Sequence, residues 1–488
     1  MIHSAPEIYF NNTLSGTQER FFPLDPAGKK VGMYTCGPTV YDYAHMGNFR
    51  AFVFEDLLRR FLEYAGYEVR HVMNLTDVDD KTIAGAGREG KTLQEYTAHF
   101  SRAFNEDLEK LNCLKPQEQP RATQKIPQML DLIGQLIQKG AAYESNGSVY
   151  FCVAQFPGYG KLSKKKLEMN IAGASARVDV DEYDRDQICD FVLWKKSRAG
   201  EPSWPSPWGP GRPGWHIECS AMSMECLGPT FDFHAGGEDL IFPHHENEIA
   251  QSEAATGKLF VRFWLHCKFL FVDGKKMSKS MGNFYTLRDL LKQGYDPMAV
   301  RYLLLGTHYR SPLNFTLEGL KEAGEIIRKL DDCFWQCVSR LDLKPMMKKS
   351  SGYEEMTVQT LEEMKAGLAN DLNIAACLSV FFRAVTRINK EMARMGEEEL
   401  RDCLNLFKAV DALLGLNIVV EKKIPGEIIQ LVNERSEVRR RIKEENNKTL
   451  WPDSDKLRDQ IQSLGWIVKD GRPGELSTLK MKRRVWDV

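Results

Sequence analysis

Between residues 31 and 80 the hydrophobic period of the chain changes twice. "VGMYTC" (31–36) is a short apolar run that stops at Gly37-Pro38, the pattern of a strand entering a turn. From Asn48 the apolar positions Phe49, Phe52, Phe54, Leu57, Leu58, Phe61 and Leu62 recur at helical spacing and stop near Gly66, which predicts an amphipathic helix. "YEVRHVMNLTDVDD" (67–80) is strand-like again and ends in acidic and polar residues. Strand, turn, helix and strand in that order form a βαβ unit, and such units build parallel sheets. "FVRFWLHCKFLFVDGKKMSKS" (260–280) supplies more strand, with Asp273-Gly274 marking a tight turn. Residues 113–213 carry helices of their own and run into the stretch "GEPSWPSPWGPGRPGW", whose composition breaks regular structure. They read as an insertion between two halves of one α/β domain, 1–112 and 214–316.

Beyond residue 317 the pattern becomes purely helical. Residues 317–343, 360–392 and 399–416 are long amphipathic stretches without strand-like interruptions, predicting a helical domain over 317–420. Residues 421–488 add a charged helix, "IIQLVNERSEVRRRIKEENN", a second helix, "SDKLRDQIQSLG", and a basic tail, read as a small C-terminal domain. The expected fold class is α/β: a Rossmann-like parallel-sheet domain with an inserted subdomain, then an α-helical domain and the small last one.

Composition narrows the class. With 43% apolar and 27% charged residues, the 488-residue chain has the profile of a soluble globular protein of several domains. No signal peptide or membrane span is indicated. A net charge of −1 confines any nucleic-acid contact to local basic clusters such as "KLSKKK" (161–166) and "KMKRR" (480–484). Eleven cysteines without regular spacing argue against a disulfide framework and for a reducing, cytoplasmic setting.

Three stretches carry candidate chemistry. In "HMGNFR" (45–50), His45 and Gly47 stand directly before a helix, where backbone N–H groups and the positive helix end can receive a phosphate. Taken alone, the four residues from His45 to Asn48 also fit an ordinary polar loop. In "KKMSKSMGN" (275–283), Lys276 and Lys279 could meet charge building on phosphates, or simply be solvated. In "GWHIECSAM" (214–222) and "FDFHAGGEDLIFPHHENEIAQSEAATG" (231–257), His244 and Glu248 lie four apart and face the same way. Cys219 and Cys36 could join them around zinc, although 183 residues separate the two cysteines and no local finger spacing supports it. On spacing alone an ordinary helix-surface pair is the favoured reading of His244 and Glu248, with His245 a competing ligand and Cys226 a competing thiolate. Cys333 and Cys337 read as core residues of a helix.

Taken together, these motifs resemble a known family. Cys-Gly-Pro-Thr-Val-Tyr-Asp, His-Met-Gly-Asn, Asn-Leu-Thr-Asp-Val-Asp-Asp-Lys, Gly-Trp-His-Ile-Glu-Cys-Ser, Phe-Pro-His-His-Glu-Asn-Glu and Lys-Met-Ser-Lys-Ser follow one another as in the cysteinyl-tRNA synthetases, a class I aminoacyl-tRNA synthetase family. The resemblance spans nearly the whole chain and is loosest over the last sixty residues or so. It implies that Cys36, Cys219, His244 and Glu248 hold one Zn2+ per chain. It implies that His45, Gly47, Asn48, Gly237, Asp239, Lys276 and Lys279 bind ATP with its Mg2+, and that His45, Lys276 and Lys279 act in catalysis. Thr76, Trp215 and His234 would contact the cysteine substrate, with Trp215 closing the wall around the thiol. Asn48 replaces the second histidine of the usual His-Ile-Gly-His signature, and Asp239 rather than Glu238 is implied on the nucleotide.

The zinc has a physical reason. A pocket that judges size discriminates poorly between near-isosteres such as cysteine and serine, whereas zinc favours a soft thiolate and lowers a thiol's pKa. The implied reaction is attack of the cysteine carboxylate on the α-phosphorus of ATP, releasing pyrophosphate, followed by transfer to tRNA-Cys, with no separate editing domain. The helical and C-terminal domains would grip the tRNA, the segment Arg439–Arg441 reaching the anticodon region. A monomer without a membrane partner is expected. Two rivals are a ligase joining cysteine to an amino sugar, which has no use for the chain beyond 317, and a non-catalytic zinc-stabilised nucleic-acid-binding protein.

Overall fold

A computed structural model of the chain describes residues 7–165, 190–278, 281–343, 353–419, 424–470 and 478–481. They form two units: Met1–Leu287 with Thr307–Phe315 and Ala369–Leu372, and Arg288–Gly306 with Thr316–Leu368 and Asn373–Val488. Among the described residues no helix is long and apolar enough to cross a membrane.

A four-stranded parallel sheet organises the first unit. Its elements are β1 (Lys30–Thr35), α1 (Met46–Tyr64) and β2 (Glu68–Met73), then, after a long excursion, α2 (Trp215–Leu227), β3 (Phe231–Gly237), α3 (Glu246–Thr256) and β4 (Val261–Cys267). The predicted strand, helix and strand between 31 and 80 are thus β1, α1 and β2. The strand order is β4-β3-β1-β2 and every pairing is parallel. β1 runs beside β2 from Lys30↔Glu68 to Thr35↔Met73, and its other edge takes β3 from Met33↔Phe233 to Thr35↔Ala235. The chain therefore leaves β1 toward one side and returns on the other. Such a reversal lets the loops after the two strands diverge, opening a crevice beyond their carboxyl ends.

Strand periodicity sends neighbouring residues of β3 to opposite faces. Phe233 joins an aromatic cluster with Phe10, Phe21 and Phe263, ring centroids 4.8–5.4 Å from its own. His234 instead stacks on Trp264 at 4.6 Å. Two glycines permit close backbone approach: a Cβ on Gly37 would lie 1.7 Å from the Asn74 carbonyl oxygen just after β2, and one on Gly214 would lie 2.2 Å from that of Val192, in the strand Phe191–Lys196 of a separate antiparallel sheet. Neither site has room for a side chain.

The stretch 126–213 packs into a core that it shares with Ile217 and Ala221 of α2 and Ala250 and Ala255 of α3. A helix, Ile126–Gln138, buries Met129, Leu132, Ile133 and Leu136 against Phe151, Leu193 and Trp194 of a four-stranded antiparallel sheet. After β4, β5 (Leu270–Val272) turns into β6 (Lys275–Lys276) and also pairs in parallel with β7 (Leu313–Phe315). Asp273 and Gly274 make the turn with positive φ, 49° and 71°, the backbone that an Asp-Gly hairpin supplies.

The second unit is helical, as predicted. Its long helix Leu317–Leu343 buries Leu330, Cys333, Phe334 and Cys337, a stripe at helical spacing. Phe407, from the helix Glu397–Leu414, packs against both Phe334 and Phe381. The hairpin Trp466–Lys469/Thr478–Met481 docks on the long helix through Trp466, whose ring lies 5.3 Å from that of Trp335.

His71 of β2 is fully enclosed, its Nε2 2.9 Å from the Thr35 hydroxyl. Burial, helped by the charge of Arg59, pulls its pKa from 6.5 to about 3. The unfolded chain takes up this proton near pH 6.5 and the native protein does not, so native stability falls as pH drops from 6.5 toward 3. His71→Asn removes that group: its urea midpoint should be lower than wild type at pH 7, yet decline less between pH 7 and 5. Circular dichroism during denaturation at the two pH values measures this.

Candidate active site

A cavity of about 180 Å³ lies in the crevice at the carboxyl ends of β1 and β3. Gly47, Asn48 and Glu55 of α1 line one side, Cys36 and Thr76 the loops after β1 and β2, and Trp215, Cys219, Gly237, Asp239 and His244 the rest. Residues from segments 183 positions apart thus meet on one wall.

Cys36 follows β1, Cys219 lies on α2, His244 occupies the turn before α3, and Glu248 is in its first turn. One donor atom from each lies within 4.8 Å of all the others. The His244 Nε2 is 2.9 Å from Glu248 Oε1, and the two thiol sulfurs are 3.9 Å apart. A second quartet, Cys36, His234, His245 and Glu248, meets the same distance criterion. The two differ in what they face. Cys36, Cys219 and His244 line the cavity, whereas His234 and His245 are fully buried and do not. Two thiols, an imidazole and a carboxylate also form a donor set suited to a tetrahedral zinc ion.

The outer residues orient this set. His234 meets the other Glu248 oxygen, Oε2, at 2.9 Å, so the residue implied as a substrate contact stands beneath the carboxylate. The second nitrogen of His244, Nδ1, lies 2.9 Å from Nδ1 of His216. His245 approaches Cys36 Sγ at 3.4 Å, and its Nδ1 lies 2.8 Å from His266, which contacts Thr13 in turn. Partners of this kind fix ring and carboxylate geometry around a metal. The charges respond to one another. Burial works to raise Glu248, but His234 and His244 outweigh it and hold the carboxyl at about 2. Burial likewise opposes the charge on His244, yet Glu248 and Cys219 lift it to about 10. Cys219, accepting from the Cys36 thiol, falls to about 6, while burial pushes Cys36 up.

Trp215 and Thr76 line the cavity beside these groups. Trp215 stacks on His244 at 4.2 Å and is 40% exposed, so it is a cavity wall and not core packing. Thr76 donates its hydroxyl hydrogen bond to Glu218 Oε2 at 3.1 Å.

The first turn of α1 forms another side of the cavity. His45 is the N-cap: its Nδ1 accepts from the Asn48 N–H at 3.2 Å, and Asn48 Oδ1 accepts from the His45 N–H at 3.1 Å. This reciprocal pair is a capping box, and a neutral ring accepting at Nδ1 carries its proton on Nε2. Asn48 therefore has a local structural use that its neutral amide serves. A Cβ on Gly47 would lie 3.0 Å from the His45 ring and 3.4 Å from the Met277 methyl, so the lysine loop packs directly over this turn. Lys276 is exposed on β6 and does not line the cavity. Lys279 lies outside the described residues. Burial raises the Asp239 carboxyl above its usual range.

Two buried carboxylates, one lining the cavity and one behind its wall, are not singled out by the sequence. Glu55 lies within the apolar face of α1, 1% exposed; burial drives its pKa well up, against the opposing effect of Thr35. Glu218, fully buried behind Thr76, leaves Oε1 unpartnered. An acidic residue inside an otherwise apolar helical stripe was the available signal for Glu55. Cys226, the competing thiolate, joins neither quartet; burial, with Glu118 beside it, raises it to about 12.

In the second unit the arginine run is paired internally. Arg439 meets Asp470, Arg440 meets Glu437 and Glu444, and Arg441 meets Glu445. Exposed pairs of this sort are weak and exchangeable.

Comparison with known proteins places these features in context. Residues 24–325 match the family described as tRNA synthetases class I (C) catalytic domain. The chain is 48% identical over 486 residues to a cysteine–tRNA ligase of Chlamydia muridarum, covering 96% of this chain and 98% of that protein. It is 45% identical over 472 residues to a cysteine–tRNA ligase of Protochlamydia amoebophila, covering 95% and 96%. Among solved structures it resembles the Mycobacterium tuberculosis methionyl-tRNA synthetase bound by methionyl-adenylate, with a TM-score of 0.58 at 14% identity over 83% of this chain and 94% of that one. It also resembles Agrobacterium radiobacter LeuRS in a ternary complex, with a TM-score of 0.56 at 11% identity over 81% and 85%. At such identities the structural likeness concerns the fold alone.

The two quartets make different predictions for metal binding. Cys219→Ser and His244→Ala should each weaken zinc binding by at least ~10-fold, while His245→Ala, acting from outside the cavity-facing set, should cost less. Competition against a chromophoric chelator measures all three. A His245→Ala loss exceeding that of His244→Ala would transfer the site to the second quartet.

Proposed function

The chain belongs to the class I tRNA synthetases as a cysteine–tRNA ligase, and we propose that it activates L-cysteine with Mg-ATP and selects the substrate through a zinc-bound thiolate. One observation carries this reading: Cys36, Cys219 and His244 share a single cavity wall system with Gly47, Asn48 and Asp239. A ligand spanning that cavity can have its sulfur at one end and its carboxylate beside a phosphate at the other.

In the first step a cysteine carboxylate oxygen attacks the α-phosphorus, and the bond from that phosphorus to pyrophosphate breaks. In the second, a ribose hydroxyl of the terminal tRNA adenosine attacks the carbonyl carbon and AMP leaves. The contribution of the protein is positioning and charge stabilisation. The first turn of α1, capped by His45 and Asn48, directs its positive end toward the phosphates. Lys276 and Lys279 offset the charge that develops on the leaving pyrophosphate, and Asp239 with Gly237 holds the nucleotide. Cys36, Cys219, His244 and Glu248 would hold zinc, which supplies a soft Lewis acid preferring a thiolate to an alcohol. Trp215 and Thr76 enclose the amino acid, while His234 keeps Glu248 oriented. The helical unit receives the tRNA, whose phosphates can compete for arginines now held by exposed carboxylates.

Cysteine-dependent ATP–pyrophosphate exchange tests this proposal. Exchange should collapse on chelation and return with zinc, and the preference for cysteine over serine should exceed the roughly 10²-fold that a size-reading pocket achieves. Absence of exchange from fully metallated protein, or a comparable rate with serine, would overturn it.

A further inference from the structure

The loop carrying the signature lysines is closed by a side chain. β6 is the outer strand of the small sheet, pairing with β5 through Phe271↔Lys276, and among the described residues no strand pairs with its other edge. Asn283 occupies that edge. Its Oδ1 accepts from the Ser278 N–H at 2.9 Å, and its Nδ2 donates to the Lys276 carbonyl at 3.2 Å. A primary amide offers one acceptor and one donor side by side, so here it reproduces the pairing a strand residue would make with Lys276 and Ser278.

The outgoing chain is anchored immediately afterwards. The Tyr285 carbonyl accepts from the Met46 N–H at 3.0 Å, Thr286 forms an antiparallel bridge with His45, and the Phe284 ring stands edge-on to His45 at 5.3 Å. Asn283 thus joins two rigid parts: β6, which bears Lys276, and the strand-like segment pinned to the N-cap of α1. Its two hydrogen bonds give β6 a direct link to that anchor, beside the packing of Met277 against Gly47.

We propose that Asn283 is a positioning residue for the activation step, holding Lys276 in register with the phosphate end of α1. The inference rests on the ligase reading above. Its effect should be confined to chemistry at the phosphates, because the amide touches neither the metal quartet nor the amino-acid wall.

The test compares Asn283→Ala and Asn283→Asp with wild type in single-turnover assays using the full, zinc-loaded chain. Asn283→Ala should slow cysteinyl-adenylate formation by roughly 10- to 100-fold, the range that misplacement of a reacting group produces. Zinc content, melting temperature and transfer from preformed adenylate to tRNA should stay close to wild type. Asn283→Asp, which keeps the acceptor toward Ser278 and loses the donor toward Lys276, should fall between the two. Adenylate formation by Asn283→Ala within threefold of wild type overturns the inference, as does an equal slowing of both steps. A wild type that exchanges nothing overturns the ligase reading itself, which separates the two failures.

Discussion

A carboxylate fully removed from water organises the first unit. Glu248 is 0% exposed, and an ionised group there is tolerable only if both oxygens are met. One meets His234 and the other His244, which ties the centre of the sheet to the turn preceding α3. Cys219 and His216 are then drawn in from α2, and Cys36 from the end of β1. Replacing any one of these groups leaves another buried charge without its partner, a costlier change than losing an exposed pair.

The cavity above this carboxylate is electrically polarised. Cys36, Cys219 and His244 gather at one side, while Gly47 and Asn48 at the start of α1 stand at the other. Such a field suits a molecule with a metal-seeking sulfur and an anionic tail, and it is strongest where water is excluded. The reciprocal cap between His45 and Asn48 explains how an uncharged residue keeps the helix start intact at this point. It commits the asparagine to shaping the backbone.

The second unit works under a looser constraint. Its core follows from helical stripes such as Leu330, Phe334 and Cys337, and its surface charge is largely cancelled within the unit. Arg435 is an exception: it is buried and forked onto Asp470, so that this arginine serves packing of the last helices more than surface charge. A run of arginines in sequence therefore divides between structural and exposed roles only after the chain has folded.

Local pattern alone determined the strand-helix-strand opening, the Asp273-Gly274 hairpin and the helical character beyond 317, because periodicity and turn chemistry act over a few residues. The ordered motifs also carried the family. Tertiary structure decided the rest. Spacing leaves His244 and His245 both open, since adjacent residues of one turn differ only in what they face; the fold adds that His244 lines the cavity and His245 does not. Nor could spacing show that His234 stands beneath Glu248, or that Glu55 reaches a cavity from an apolar helix face. Strand order, with β1 between β2 and β3, brings those groups together across 183 residues of sequence. Distance along the chain holds no record of that pairing, because it arises from which hydrophobic faces can be buried against each other.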